Sequence, residues 1–185
     1  RFDTDSLDYR VIAEWIANGA TPPSSRDASV TRLEILPDAV ELAPTKAQEL
    51  IVRAHYSDGH VEDVTPWVKF TSADETVARV EANGRVSVIG PGEGAVTGWF
   101  ASKIVMARIT VPFPHQVAPE VFAQEPRRNF IDELALAKLQ ALHIKPSPAA
   151  TDAEFIRRAF VDTIGTLPTV AECRAFLTDS SPDKR

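Results

Sequence analysis

The central part of the chain alternates short runs of β-branched and aromatic residues with turn signals, at a spacing of roughly 8 to 12 residues. The pattern extends from Val30 to about Val111. In one run, Leu50, Val52 and Ala54 alternate with mostly polar neighbours, so one face of that strand can be buried. Because sheets with one apolar face bury it against each other, this spacing predicts a mainly β fold, an antiparallel β-sandwich.

Turn chemistry marks where the predicted strands reverse. Asn83 and Gly84 can supply the positive φ angles of a tight hairpin. Residues 57–59 and 91–94 are further glycine-containing turns, and Ser102–Lys103 is expected at the tip of the last hairpin. The sequence therefore predicts antiparallel neighbours along this segment.

Helical segments are predicted on both sides of the β region. On the N-terminal side, Ser6 and Gly19 can cap a helix, and apolar residues recur between them at helical spacing. On the C-terminal side we expect three helices, followed by a fourth starting at Ser181–Pro182. Their capping residues are Asn129, Thr151 with Glu154, and Thr169 with Glu172. The first of them carries an apolar stripe of Ile131, Leu134, Leu139 and Leu142.

Charge and hydropathy exclude several classes of partner. The net charge is −6, acidic and basic residues are mixed, and there is no Lys/Arg cluster. We therefore expect no nucleic acid partner. No apolar run reaches the roughly 18 residues of a membrane span, so no membrane insertion is expected. Cys173 is the only cysteine, which excludes an internal disulfide and a multi-thiolate metal site.

No catalytic or metal-binding motif stands out. The four histidines, at 55, 60, 115 and 143, lack metal-ligand spacing. Asp58, Glu62 and Asp63 crowd one hairpin and offer oxygen ligands for calcium, but local turn chemistry is the favoured interpretation. Asp74 is likewise expected to act as a local cap. We predict a chain that is not an enzyme and has no cofactor or metal.

The last predicted hairpin is the most informative surface. If Val96 and Phe100 point into the sandwich, strand alternation turns Trp99 outward, and Ile104 and Met106 of the partner strand face the same side. An exposed apolar patch of this kind is seldom without a use. These three residues form the candidate interaction surface.

Two uses of this surface stay open. It can dock the flanking helices, including Trp15 and Ile16, or it can be a platform for a sugar ring or a protein partner. The remaining tryptophan, Trp67, is expected in the core, where the chain crosses between sheets.

Several motifs of the β region occur together in a known family. They are YSDG at 56–59 followed by DVT, FTSADETVARVEANGRV at 70–86, and GPGEGAVTG at 90–98. The segment resembles a group 2 bacterial Ig-like domain, the type found in intimin and invasin adhesins. The resemblance implies an Ig-like sandwich on a bacterial cell surface.

The C-terminal segment carries a second set of motifs. These are NFID at 129–132, the PSPAATDAEFIRR run at 146–158, DTIGTLPT at 162–169 and the closing PDKR. The segment is similar to the start of a planctomycete cytochrome-associated domain of unknown function. Residues 1–20 resemble the end of the cytochrome-c-like module that precedes such domains. The resemblance implies a haem module upstream, but the chain has no CxxCH motif, so no covalent haem is expected here.

We therefore predict five segments in a fragment of a large extracytoplasmic protein, periplasmic or at the cell surface. They are a helical tail at 1–20, a linker at 21–29, the Ig-like sandwich at 30–112, a linker at 113–128 and the helical start of another domain at 129–185.

Three functions remain open for this fragment. The first is a non-catalytic spacer or adhesion-type module that contacts neighbouring domains of the same chain. The second is binding of a cell-surface glycan or protein through Trp99. The third is a part in a haem-linked redox enzyme whose active residues lie elsewhere, with a role for the arginines at 127, 128, 157 and 158.

Overall fold

A computed structural model describes residues 3–185, so the first two residues of the predicted N-terminal segment lie outside the described part. The chain divides into two compact units, one ending at Pro114 (unit 1) and one spanning His115–Arg185 (unit 2). Unit 1 contains α1 (Leu7–Ala17), β1 (Val30–Leu36), β2 (Ala39–Glu41), β3 (Ala47–Glu49), β4 (Ile51–Tyr56), β5 (Val61–Asp63), a 3₁₀ turn (Thr65–Trp67), β6 (Lys69–Ser72), β7 (Ala78–Val80), β8 (Arg85–Val88), β9 (Gly92–Phe100) and β10 (Lys103–Val111). Unit 2 contains α2 (Pro119–Ala123), α3 (Phe130–Ala141), α4 (Asp152–Ile164) and α5 (Val170–Thr178).

The strands of unit 1 form three sheets. Their orders are β1-β4-β5, β2-β10-β9-β6 and β3-β8-β7. The prediction of purely antiparallel pairing is wrong at one place, because β2 runs parallel to β10. Only Pro37 and Asp38 separate β1 from β2, so the chain passes from one sheet to the next within two residues. Helices and strands also occupy similar shares of the described chain, so the fold is mixed rather than mainly β.

The core of unit 1 is one hydrophobic cluster to which all three sheets contribute. The predicted alternation is confirmed, since Leu50, Val52 and Ala54 are at most 1% exposed. The prediction that Trp67 lies in the core is wrong, because its side chain is 39% exposed. It sits on the 3₁₀ turn, where its neighbour Val68 is buried instead.

The hairpin turns are close to the predicted positions. Gly84 has a positive φ of 83° between β7 and β8, but Asn83 does not. The last hairpin turns at Ala101 and Ser102, whose φ angles are 47° and 60°, one residue before the predicted tip. The predicted turn at 91–94 lies largely within β9, which starts at Gly92.

The first helix begins where its capping residue predicts. The Ser6 hydroxyl accepts the backbone N–H of Tyr9, and Gly19 follows the helix with a φ of 93°. No residue of α1 is buried. Trp15 and Ile16 on this helix are 49% and 59% exposed.

Unit 2 confirms the predicted caps and only part of the predicted stripe. Asn129, Thr151 and Thr169 each close a capping box. In α3, Ile131 and Leu134 are 60% and 65% exposed. Leu142, the C-cap residue, is 8% exposed as the stripe predicts, and the buried residue within α3 is Leu136, which the predicted stripe did not include.

One predicted linker contains a short helix, and the end of unit 2 differs from expectation. The short helix α2 lies inside the predicted linker at 113–128. Ser181 starts a turn rather than a helix, and its carbonyl accepts the backbone N–H of Lys184 at 3.4 Å. None of the helices found between residues 3 and 185 is long and apolar enough to cross a bilayer.

The turn at 181–184 places two cations against α4 and α5. Lys184 Nζ lies 2.6 Å from a carboxylate oxygen of Asp152, and the guanidinium of Arg185 also pairs with that carboxylate. Lys184 lies over the ring of Phe176 at 5.1 Å, and Arg185 lies over Phe155 at 5.2 Å. The two rings stack with centroids 5.9 Å apart. These contacts connect the end of unit 2 to both helices.

Burial predicts opposite outcomes for two isoleucines of β10. Ile109 is fully buried, so Ile109→Ala should lower the free energy of unfolding by about 2–5 kcal/mol. Ile104 on the same strand is 71% exposed, so Ile104→Ala should change it by less than about 0.5 kcal/mol. Urea denaturation measures both, and equal losses would contradict the described orientation of β10.

Acid should destabilise unit 2. Hydrogen bonds from Lys184, and then Arg185, hold the pKa of Asp152 below its ordinary value. Because this carboxyl has a lower pKa in the folded than in the unfolded chain, it stabilises the folded state at pH values above the pKa of the unfolded state. This stabilisation is lost as the pH falls below about 4. Asp152→Asn should therefore lower the melting temperature of the helices at pH 7. Between pH 7 and pH 3, the melting temperature of the variant should also fall less than that of the unmodified protein. Circular dichroism measures this, with Asp162→Asn on the same helix as the control, and equal behaviour of the two variants would refute the role of the contact.

Candidate interaction surface

The outer side of the four-stranded sheet carries the predicted surface. In β9 and β10, Val96, Ala107 and Ile109 are fully buried on the inner side. Strand alternation places their neighbours outward. We define the Trp99 face as the outward residues Lys69 and Thr71 of β6, Thr97 and Trp99 of β9, and Ile104 and Met106 of β10.

The large apolar side chains of the Trp99 face are open to solvent. Trp99, Ile104 and Met106 are 56%, 71% and 57% exposed. Helix α1 leaves this face uncovered, because its own apolar residues are exposed as well. Docking of α1 is therefore not the use of this surface in the structure, and its role in binding stays a prediction.

The strand register arranges the Trp99 face in two rows. Trp99 pairs with Ile104 on one side and with Lys69 on the other. Thr97 pairs with Met106 and with Thr71 in the same way. A cleft of about 310 Å³ lies over these rows. Its lining residues are Lys69, Thr71, Thr97, Trp99 and Ile104.

The sequence could not identify two members of this cleft. Lys69 and Thr71 lie far from Trp99 in sequence and join it only through the pairing of β6 with β9. The alternation of apolar and polar residues from Val68 to Thr71 is the one local signal that they face solvent.

A second concavity of about 670 Å³ lies on the same sheet and is more acidic. Asp38, Asp74, Glu93 and Arg108 line it, and Met106 borders it. One oxygen of Asp74 accepts the hydroxyl and the backbone N–H of Thr76, at 2.6 and 2.9 Å. These bonds lower the pKa of Asp74, and the bond from the hydroxyl has the larger effect. Asp74 thus has the capping role that its sequence context predicts.

The two histidines beside the first hairpin have separate partners. His60 Nδ1 lies 2.5 Å from Asp58 Oδ1, and the ring stacks on Tyr56 with centroids 4.0 Å apart. His55 Nε2 lies 3.4 Å from Glu34 Oε2. Within residues 3–185, no cluster of three or more His, Cys, Asp or Glu side chains is placed to hold a metal ion.

The acids considered for calcium serve local contacts. Asp58 accepts the backbone N–H of His60, and Asp63 accepts the N–H and hydroxyl of Thr65. Glu62 accepts the Tyr56 hydroxyl at 3.2 Å. Burial raises the pKa of Tyr56, and the nearby Glu62 carboxylate raises it further. Turn and hairpin chemistry therefore accounts for this cluster.

Comparisons with known proteins give partial matches. Residues 130–185 match the family model PSCyt2, a protein of unknown function (DUF1549), which confirms the predicted similarity of this segment to a domain of unknown function. A stretch of 76 residues is 36% identical to ice-binding protein 1 of Shewanella frigidimarina (strain NCIMB 400). That stretch is 41% of this chain and 8% of the relative, so the chain spans a small part of that protein.

Solved structures of a surface-layer protein are also similar. The S-layer protein rSbsC(31-844) has 17% sequence identity and a TM-score of 0.41, covering 50% of this chain and 14% of that one. Domains 4 and 5 of SbsC have 17% identity and a TM-score of 0.40, covering 46% of this chain and 53% of that one.

Adjacent residues of β9 should respond differently to substitution by alanine. A Cβ at Gly98 would lie 2.9 Å from Val68 Cγ1, so Gly98→Ala should destabilise unit 1 by about 1–3 kcal/mol. Trp99 is exposed, so Trp99→Ala should change the stability by less than about 0.5 kcal/mol. Thermal denaturation compares the two, and a large loss for Trp99→Ala would show that the ring stabilises the fold rather than being available for binding.

Proposed function

We propose that residues 30–112 form a non-catalytic interaction module of the bacterial Ig-like type, within a large extracytoplasmic protein. The Trp99 face is its contact surface. The flanking segments, 1–20 and 129–185, belong to neighbouring modules of the same protein. The partial match to a much longer relative and the separate match of residues 130–185 support such a multi-module arrangement.

One observation carries this proposal: three large apolar side chains are exposed together on a sheet whose inner side contributes to the hydrophobic core. Trp99, Ile104 and Met106 are each more than half exposed. The paired strands β9 and β10 hold them at fixed spacing over nine residues each. Solvent-exposed strand positions usually carry polar side chains, so an apolar patch at these positions is suited to binding a partner.

A glycan of the cell surface is the ligand class that the Trp99 face favours. The exposed indole can stack on the apolar face of a sugar ring. The hydroxyls of Thr71 and Thr97 line the same cleft and can exchange hydrogen bonds with sugar hydroxyls. This mixture of one aromatic plane and several small polar groups differs from the mainly apolar centre of a protein–protein interface.

A glycan array tests the proposal with the complete chain. The unmodified protein should bind a subset of glycans, and Trp99→Ala should weaken that binding at least tenfold. Trp15→Ala is the matched control, because Trp15 is also exposed in unit 1 but lies outside the Trp99 face. Binding that survives Trp99→Ala, or an array without any bound glycan, would contradict glycan recognition by this face.

A further inference from the structure

We infer that the cleft beside Trp99 binds a sugar unit that carries an anionic group, a carboxylate or a sulfate, and that Lys69 recognises this charge. The inference rests on the proposed glycan-binding function and specifies its ligand class. It follows from the charges that line the cleft, from the free state of the lysine and from the hydroxyls beside it.

The lining of the cleft favours an anion. Lys69 is its one charged side chain, and the other lining groups are the Trp99 indole, the Ile104 side chain and two threonine hydroxyls. No carboxylate lines it, although the chain as a whole has a net charge of −6. The second concavity on the same sheet is lined by three acids and one arginine, so its net negative charge is unfavourable for the same ligand.

Lys69 is available to a ligand. It lies directly across from Trp99 in the β6–β9 pairing and is exposed. Its ammonium makes no hydrogen bond or ion pair with any residue from 3 to 185. Binding an anion therefore breaks no existing pair, and the ammonium's three donors gain a charged acceptor.

The threonines fit the rest of the sugar ring. The Thr97 hydroxyl donates to the backbone carbonyl of Thr71 at 3.3 Å. Its oxygen lone pairs thus remain to accept a hydrogen bond from a sugar hydroxyl. With the ring stacked on Trp99, its hydroxyls reach the threonines and its anionic substituent reaches Lys69.

Titration calorimetry on the complete chain tests the inference with matched ligands in 150 mM salt, which screens non-specific attraction. Oligogalacturonate is compared with its methyl ester, and a sulfated galactan oligomer with its desulfated form. We expect the protein to prefer one or both anionic forms by about threefold to tenfold. Lys69→Gln should abolish the preference, because it removes the charge that recognises the anion. Lys69→Arg should retain it.

A control and two contrary outcomes complete the design. Lys46→Gln removes an exposed lysine of unit 1 outside the cleft and should retain the preference. Equal affinity for the charged and neutral forms, with binding still lost in Trp99→Ala, would overturn the anionic inference and leave the proposed function standing. No binding of any oligomer, or binding that Trp99→Ala does not weaken, would overturn the proposed function itself. A preference for only one anion supports the inference and identifies the group.

Discussion

The architecture of unit 1 depends on burial along the inner side of the β9–β10 ladder. Val96, Ala107 and Ile109 have no exposure to solvent, and Gly98 lets Val68 approach the strand closely. Because side chains alternate along a strand, a slip of one residue would move this whole apolar set into water. The burial that stabilises the core therefore also fixes Trp99 on the outside. The candidate surface is a consequence of the core rather than an addition to it.

Local signals in the sequence predicted much of the fold. The capping boxes at Thr151 and Thr169 and the alternation around Val52 were found because each depends on residues a few positions apart. Features set by long-range packing were missed. Strand β2 has three residues, too few for a pattern, and only its pairing with β10 defines its parallel direction. In α3, periodicity predicted an apolar stripe but could not show whether Ile131 or Leu136 would be the covered residue.

The candidate site shows the same division. Alternation within one hairpin was enough to place Trp99, Ile104 and Met106 on one face. The groups that give this face its chemical character, Lys69 and Thr71, come from a strand that precedes it by many residues. Their position depends on which strand completes the sheet beside β9, and a single sequence holds no local signal for that choice.

The position of Lys69 has a second physical effect. Strand β6 is the outermost strand of the four-stranded sheet, so part of its backbone is open to pairing with another chain. Charged side chains, lysine above all, discourage such edge-to-edge aggregation. The same ammonium can thus serve both recognition and colloidal stability. A substitution that removes this charge would favour self-association of the chain through the edge of β6, whether or not a ligand is present.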